Sequence, residues 1–232
     1  MLSKDRPTLS IIIPTLNEGY NIGSTIDALK KDGIRCRYDI VVVDGGSEDQ
    51  TVDEARLRGA QIVKSEPGRG KQLAAGGLRA RGYWFLFLHA DTELSSGWFE
   101  EAERFMNDDA NYRHAAVFSF LLDDDTPAAN VLEAIVNWRT KILALPYGDQ
   151  GLLMSRSLYH DLHGYAPFAI MEDVEIIRRI GRDRLHVFKA KAITSADKYR
   201  RDGYFFRPMK NLFCLCLYFL GVPTRLISKI YR

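Results

Sequence analysis

An apolar run that leads directly into an acidic segment is the feature that most constrains the fold of this chain. Residues 83–88 read Tyr-Trp-Phe-Leu-Phe-Leu, and His89, Ala90 and Asp91 follow at once. A strand without a polar face must be buried on both sides, as in a parallel sheet covered by helices. The carboxyl end of such a strand opens into the crevice where open α/β sheets bind ligands. The run therefore predicts a two-sided α/β sheet with Asp91 at its ligand-binding edge.

Strand-like and helix-like segments alternate through the first half of the chain. We predict strands at 9–13, 39–43, 61–64 and 83–88, and helices at 18–31, 50–58, 71–81 and 98–107. This alternation is typical of parallel strands joined by crossover helices. Beyond it we predict strands at 115–122, 151–155 and 185–192, and helices at 127–145, 157–163 and 172–180. The apolar stripe of helix 127–145, which we expect to face the core, consists of Val131, Leu132, Ile135, Trp138, Ile142 and Leu145.

Charge is distributed unevenly along the chain. Residues 184–232 contain eleven Lys or Arg and two Asp, a balance of +9, which leaves −7 for residues 1–183 because the whole chain carries +2. A basic segment on an acidic body predicts contact with something anionic, such as a membrane surface, a phosphorylated substrate or nucleic acid, and a solvated basic face is the alternative. The three cysteines are too few and too badly spaced for a disulfide framework or a zinc site, which fits a reducing cytoplasm.

Apolar segments are too short for targeting or for crossing a membrane. The stretch 9–13 is shorter than the core of a signal peptide, and the run 212–222 falls well short of the ~20 residues that a bilayer requires. We expect a cytoplasmic protein with a domain at 1–203 and an amphipathic helical tail at 204–232, whose helix 204–220 is broken by Pro223. The tail packs on the domain, forms a homodimer interface or lies peripherally on the inner face of the membrane.

Polar residues follow the first two predicted strands. Pro14 ends the first strand, and Asn17 is a candidate cap for the next helix. After the second strand, Asp44 precedes two glycines, which let the backbone approach a ligand while the carboxylate accepts hydrogen bonds from a base or ribose. A helix start is the alternative for this second segment. The candidate ligand-binding residues of both segments are Pro14, Thr15, Asn17, Glu18, Asp44, Gly45 and Gly46.

Cationic side chains offer candidate phosphate ligands at two places. Arg69 and Lys71 stand in the segment Pro-Gly-Arg-Gly-Lys, which leads into a predicted helix and could cradle a diphosphate. Its glycine spacing matches neither a P-loop nor a dinucleotide fingerprint, and a surface turn is the alternative. Arg200 and Arg201 form a second cationic pair that could meet phosphates.

Three carboxylates are candidates for catalysis. Asp91 could hold a divalent cation against a diphosphate, and a helix cap or turn is its alternative role. Glu172 and Asp173 open a predicted helix. Acids at that place either complement the helix dipole or supply a general base for an acceptor hydroxyl.

In their order along the chain, these segments resemble the motifs of the family 2 glycosyltransferases, inverting sugar-nucleotide enzymes with the GT-A fold. Segment 14–18 is similar to the opening motif of that family, and segment 44–51 to its nucleoside-binding strand end. Asp91 stands at its metal-binding Asp-x-Asp position, and Glu172 and Asp173 match its catalytic-base motif. The resemblance extends to about Arg201.

The resemblance implies a GT-A sheet with a nucleotide-binding half at 1–110 and an acceptor half at 111–203. It implies a metal-dependent, inverting hexosyltransferase of bacterial type. Mg²⁺ or Mn²⁺ on Asp91 would meet the nucleoside-diphosphate sugar, and Arg69, with Lys71 or Arg200, would add positive charge. Asp173 would act as the base, with Glu172 as the competing candidate. The implied acceptor is a small molecule or a lipid-linked compound, and no nucleic-acid partner is expected.

Departures from the family pattern leave other functions to weigh. His89 replaces the first Asp of Asp-x-Asp, and the acceptor motif of processive members is absent, which argues against a polymer synthase. A narrower similarity is to small bacterial transferases of the arsenosugar-biosynthesis type. A sugar-phosphate nucleotidyltransferase is one alternative, although it would need a Gly-rich loop after the first strand. A non-catalytic relative that binds nucleotide or membrane is the other.

Overall fold

The computed structural model describes residues 6–231, apart from the side chains of Lys198 and Asp202. Residues 1–5 and Arg232, which belong to the predicted domain and tail, lie outside this part. The strands are β1 (Leu9–Thr15), β2 (Tyr38–Asp44), β3 (Gln61–Lys64), β4 (Trp84–Phe87), β5 (Thr92–Leu94), β6 (Ala115–Leu122), β7 (Leu152–Ser155) and β8 (Leu185–Thr194). The α-helices are α1 (Ile22–Lys31), α2 (Thr51–Leu57), α3 (Arg69–Arg79), α4 (Trp98–Met106), α5 (Pro127–Leu143), α6 (Arg156–Asp161), α7 (Glu172–Ile180), α8 (Asp197–Asp202), α9 (Phe206–Phe219) and α10 (Thr224–Tyr231).

The strands form one mixed sheet in the order β3-β2-β1-β4-β7-β6-β8-β5. The first four run parallel, whereas β7 is antiparallel to both β4 and β6, and β5 is antiparallel to β8. The chain moves outward from β1 to β3 and then crosses back to place β4 on the other side of β1. Open α/β sheets bind ligands at such a reversal of strand order. The fold therefore predicts a site where β1 and β4 end.

Alternate residues of the central strands enter two separate cores, one on each face of the sheet. On one face, Ile11 and Leu86 belong to a cluster completed by α1 and α4. On the other face, Ile12 and Phe85 join a cluster that includes residues of α3 and α7. All four residues of β4 are buried, as the apolar run predicted. The predicted α/β sheet with helices on both faces is confirmed.

Pro14 lies inside β1 rather than after it, so the predicted end of this strand is wrong. β1 pairs with β2 up to Thr15 but with β4 only up to Ile12. The Ile12 carbonyl accepts from Leu88 on the β4 side, and alternation places the Pro14 nitrogen on that same side. Because the β4 ladder has already ended there, the N–H that proline lacks has no strand partner to lose.

Helix α5 packs on the sheet with a face that shares only Leu132 with the predicted apolar stripe. The side chains of Val131, Ile135, Trp138 and Ile142 are exposed, and the buried face consists of Ala129, Leu132, Val136 and Thr140. Polar groups fix this rotation. The Asn137 amide exchanges two hydrogen bonds with the backbone of Phe120, and Glu133 accepts one from the N–H of Leu122. These bonds satisfy the stretch of β6 beyond its short pairing with β7.

The C-terminal helices pack on the domain along one side. Cys214 and Leu215 of α9 and Ile227 of α10 are buried in a cluster with Met171 and Val174, beside the start of α7. This face of α9 and α10 therefore packs on the domain, which is one of the three arrangements predicted for the tail. Within the described part of the chain, none of the helices combines the length and the apolar character that crossing a bilayer demands.

Candidate active site

Two adjoining clefts open where β1 and β4 end. The first, which we call the strand-end cleft, has a volume of about 1250 Å³, and its walls include Pro14, Thr15, Glu18, Gln72 and Ala90. The second, the helix cleft, has a volume of about 810 Å³, and its walls include Asp149, Glu172, Asp173, Tyr199 and Asn211. Arg69, His89 and Asp91 line both clefts. The predicted residues Asp91 and Asp173 thus share one site.

The loops after β1 and β2 are bound to each other. The N–H of Glu48 donates to Asn17 Oδ1 at 2.9 Å, and the N–H of Asn17 donates to Ser47 Oγ at 2.9 Å. Asn17 has a left-handed backbone with φ of 55°, and α1 begins only at Ile22. Asn17 therefore does not cap α1, because its side chain is used to join the two loops.

Asp44 closes its own loop. Its carboxylate, which is 5% exposed, accepts hydrogen bonds from the N–H groups of Gly46 and Ser47. Gly45 donates its N–H to the Thr15 carbonyl at the end of β1. Asp44, Gly45 and Gly46 border neither cleft. Their predicted contact with a ligand stays a prediction.

Gln72 is a structural residue of this site that the sequence analysis missed. Its buried amide donates to the carbonyls of Thr15 at 2.7 Å and Val43 at 3.0 Å. These bonds connect α3 to the carboxyl ends of β1 and β2. A lone glutamine in a helix gives no sequence signal for such a role, since the partners are backbone groups.

Arg69 begins α3 at the junction of the two clefts. Its Nε lies 3.7 Å from Glu172 Oε1, and its side chain is 49% exposed. The next residue must be glycine, because a Cβ at Gly70 would stand 2.5 Å from the carbonyl oxygens of Ala166 and Phe168. This close approach seats the start of α3 against the segment before α7. The Arg69 guanidinium can therefore reach an anion at the junction while it stays paired with Glu172.

Asp91 supplies a ligand type that suits Mg²⁺ or Mn²⁺. Among residues 6–231, no group of three or more His, Cys, Asp or Glu side chains is arranged to hold a metal. A cation here would take its other ligands from water and from substrate phosphates, which is the usual mode of Mg²⁺ binding with one or two protein carboxylates. The donor chemistry at Asp91 fits such a shared cation.

Asp173 is held rigidly at the start of α7. The N–H of Gly148 donates to its Oδ2 at 2.8 Å, and the N–H of Val174 donates to its Oδ1 at 2.7 Å. A carboxylate has about four acceptor positions, so it can still accept a hydroxyl proton from a ligand. Met171, just before α7, has a left-handed backbone with φ of 67°, which is uncommon outside glycine and concentrates at functional sites.

Glu172 is buried next to Asp173, with 1% of its surface exposed. Burial raises its pKa, and the negative charge of Asp173 raises it further, against the opposing effect of Arg69. Its Oε1 has no hydrogen-bond partner. Burial likewise raises the pKa of Asp149 from 3.8 to about 6. The helix cleft thus contains two carboxyl groups that hold their protons more tightly than usual, beside Asp173.

Some predicted phosphate ligands lie elsewhere. Lys71 pairs with Glu66 at 2.6 Å and borders neither cleft. Arg200 pairs with Asp124 at 2.9 Å, and neither Arg200 nor Arg201 contributes to the cleft walls. Both arginines lie on α8, a helix that the sequence did not predict and that contributes neither of them to the cleft walls.

Comparison with known proteins agrees with this arrangement. The model of the family described as Glycosyl transferase family 2 matches residues 10–181. A PGL/p-HBAD biosynthesis glycosyltransferase of Mycobacterium bovis is 34% identical over 96 residues, which cover 38% of this chain and 37% of that protein. A glucosyl-3-phosphoglycerate synthase of Mycolicibacterium paratuberculosis is 33% identical over 95 residues, or 36% of this chain and 28% of that protein. The chain thus spans about a third of the length of these curated relatives.

Solved structures share the fold. Glucosyl-3-phosphoglycerate synthase from Mycobacterium tuberculosis, in complex with phosphoglyceric acid, has a TM-score of 0.65 at 19% identity, covering 94% of this chain and 81% of that one. A Pyrobaculum calidifontis mannosyltransferase in complex with GDP-Man and Mn²⁺ has a TM-score of 0.62 at 18% identity, covering 89% of this chain and 61% of that one. These likenesses confirm the GT-A fold. Since the matched family span runs from β1 through α7 and includes both clefts' central residues, the chain belongs to glycosyl transferase family 2.

Proposed function

We propose that this protein is a metal-dependent, inverting glycosyltransferase that moves a sugar from a nucleoside-diphosphate sugar to an acceptor hydroxyl. The observation that carries the proposal is that Asp91 and Arg69 line both clefts, while Asp173 lines the helix cleft beside them. Relatives support the choice of donor and metal. The M. tuberculosis synthase has been solved with Mn²⁺ and UDP-glucose, and the P. calidifontis enzyme with Mn²⁺ and GDP-mannose.

In this proposal, the strand-end cleft takes the nucleotide. Residues 1–110 form the donor half, and the loop after β1, which the loop after β2 holds in place, gives the nucleoside a rigid floor. Arg69 contacts the diphosphate and offsets its negative charge. A divalent cation bound at Asp91 would supply further positive charge to the leaving diphosphate. The predicted roles of Lys71, Arg200 and Arg201 are not part of the proposal, because other groups of the surface hold these side chains.

The helix cleft takes the acceptor, within residues 111–203 and the tail. The acceptor oxygen forms a bond to the anomeric carbon, its proton passes to Asp173, and the bond to the diphosphate oxygen breaks with its electron pair leaving on the nucleoside diphosphate. Entry and departure on opposite sides invert the anomeric centre. We prefer Asp173 to Glu172 as the base, because Glu172 is buried and paired with Arg69.

The direct test combines donor consumption with product stereochemistry. The purified protein is incubated with Mn²⁺ and either UDP-glucose or GDP-mannose, with small hydroxyl compounds as acceptors. Release of nucleoside diphosphate and a product of opposite anomeric configuration, measured by NMR, would support the proposal. Retention of configuration would contradict it. Pyrophosphate release from a nucleoside triphosphate and a sugar phosphate would favour the nucleotidyltransferase alternative, and the arsenosugar-type resemblance stays a prediction about the acceptor.

We also propose that the outer face of the tail contacts lipid. Phe206, Phe213 and Leu220 are exposed, with Phe206 at 74%. Residues 204–231 contain four Lys or Arg and no Asp or Glu. Apolar side chains interspersed with cations are typical of helices that lie on an anionic bilayer surface. The charge of this face favours such a surface over a second copy of the same basic face.

Vesicle binding tests this part. Wild type is expected to co-sediment with vesicles of phosphatidylcholine and phosphatidylglycerol but not with phosphatidylcholine alone, and Phe206→Glu is expected to weaken binding. Leu78→Glu is the matched control, since Leu78 is an exposed apolar residue of α3, outside the tail. Equal binding of all three proteins, or a concentration-dependent dimer that Phe206→Glu dissociates, would contradict the lipid contact.

A further inference from the structure

Buried polar atoms without a partner concentrate at the helix cleft. Within residues 6–231, five residues carry a buried side-chain nitrogen or oxygen that lacks a hydrogen bond, namely Trp98, Arg139, Asp149, Glu172 and Asn211. Three of them line the helix cleft, and Arg139 stacks 3.6 Å from the ring centre of Tyr147, which also lines it. Buried polar groups are nearly always paired in folded proteins. Their concentration in one cleft indicates a polar ligand that completes them.

From this concentration we infer that Asp149 and Asn211 bind the acceptor, and that the acceptor is a neutral polyol such as a sugar or glycoside. The inference rests on the proposed function and names the substrate class of its acceptor side. In these two residues the unpaired atoms are Oδ1 of Asp149 and Oδ1 of Asn211, both of which accept hydrogen bonds. A ligand must therefore bring donors, and a second hydroxyl beside the reacting one supplies them.

The position of Asp149 places this second contact next to the reacting group. Gly148 donates its N–H to Asp173 Oδ2 at 2.8 Å, and Asp149 is the next residue along the chain. The short helical turn Gly148–Gln150 is anchored by Gln150, whose buried side chain donates to the Phe118 carbonyl at 3.0 Å. Asp149 and Asp173 are thus held by one rigid segment, so one acceptor molecule can contact both.

The charged groups of the helix cleft offset one another, which favours a neutral acceptor over an anionic one. The walls carry four carboxyl groups, those of Asp91, Asp149, Glu172 and Asp173, and two guanidinium groups, those of Arg69 and Arg207. Arg69 pairs with Glu172, and Arg139 lies near enough to Asp149 to oppose the rise of its pKa, so carboxyl groups of this site already engage both of these arginines. Three tyrosines line the same cleft, Tyr147, Tyr199 and Tyr231. Aromatic faces suit the C–H surface of a sugar ring.

The test is an acceptor panel at a fixed concentration of UDP-glucose or GDP-mannose with Mn²⁺. The panel contains methyl glucoside and glycerol as neutral polyols, 1-propanol as a single-hydroxyl compound, and glycerol 3-phosphate as an anionic polyol. Wild type, Asp149→Ala, Asp149→Asn, Asn211→Ala and the control Asp53→Ala are compared. Asp53 is exposed on α2 and borders neither cleft. Affinity for the matching nucleoside diphosphate is measured by calorimetry for each protein.

We expect wild type to prefer methyl glucoside to 1-propanol and to glycerol 3-phosphate. Asp149→Ala and Asn211→Ala should each raise KM for methyl glucoside by ~10-fold, the cost of a lost buried hydrogen bond, while nucleoside-diphosphate affinity stays at the control value. Asp149→Asn keeps the packing if Asp149→Ala fails to fold. Preference for glycerol 3-phosphate, or unchanged KM in all three variants, would overturn the inference while leaving the transferase intact. Absence of any donor turnover by wild type would overturn the proposed function itself.

Discussion

The two clefts differ in how their polar groups are satisfied. Behind the strand-end cleft, Asp44 bonds within its own loop and Asn17 joins two loops, and in the cleft wall Gln72 connects α3 to the ends of β1 and β2. At the helix cleft, oxygen atoms of Asp149, Glu172 and Asn211 are buried without partners. These groups near the strand-end cleft are therefore paired in the free protein, whereas the helix cleft keeps hydrogen-bonding capacity for a ligand.

This difference separates the residues that stabilise the fold from those that can determine which ligand binds. Hydrogen bonds that join strand ends serve folding as well as binding, because they fix the loops whatever the ligand is. Unpartnered groups destabilise the free protein and are offset only when a ligand pairs them. We expect substitutions at the strand-end cleft to affect stability and those at the helix cleft to affect acceptor use.

The largest expected effect is on transfer in Asp173→Asn. Removing the base should lower the rate of sugar transfer by ~10²-fold or more, the usual cost of losing a general base. Nucleoside-diphosphate affinity should remain at the wild-type value, because Asp173 lies in the helix cleft and not in the strand-end cleft. Steady-state kinetics and calorimetry on the same preparation check both statements, and near-normal turnover would remove Asp173 from the base role.

Gln72→Leu and Asn211→Leu should differ in their effect on the free energy of unfolding. Gln72→Leu leaves the carbonyls of Thr15 and Val43 without their donor, so the free energy of unfolding should fall by roughly 1–3 kcal/mol. Asn211→Leu removes an unpaired oxygen, so the free energy of unfolding should stay unchanged or rise. Urea denaturation of both variants measures the difference. Equal losses would show that the two clefts do not differ as described.

The pH dependence of stability gives a third, smaller effect. Burial raises the pKa of Glu172 from 4.5 to about 7, so the folded protein binds more protons than the unfolded chain between these values. The stability that this group contributes is fully present below pH 4.5 and is lost as the pH rises through 7. Relative to Glu172→Gln, the free energy of unfolding of wild type should therefore fall as the pH rises from 4.5 to 8. A constant difference in the free energy of unfolding between wild type and Glu172→Gln across this pH range would contradict the prediction.

Sequence patterns predicted the sheet well because burial on both faces is visible in the residues themselves. The bounds of β3, β6 and α7 agree with the structure, and the apolar run placed β4 correctly. The short β5 and α8 were missed, since three and six residues are too few to establish a period. The rotation of α5 was predicted wrongly because Asn137 and Glu133 bond to the backbone of β6, a tertiary choice that apolar periodicity does not contain.

The site was partly within reach of the same reasoning. Acidic residues at strand and helix ends identified Asp91 and Asp173, which line one cleft. Cations were harder to place, because Lys71 and Arg200 pair with neighbouring acids instead of facing the site. Asp149 was not among the predicted site residues, since its buried and unpartnered state depends on how α5, α7 and α9 meet.

Calorimetric titration of UDP and GDP, with and without Mn²⁺, tests the central claim most directly, because it asks whether Asp91 joins a cation to a diphosphate at the end of β4. The account predicts that Mn²⁺ tightens binding of one of the two nucleotides to wild type by about tenfold or more, and that Asp91→Ala abolishes this gain. The same affinity with and without Mn²⁺, or a full Mn²⁺ response in Asp91→Ala, would contradict it.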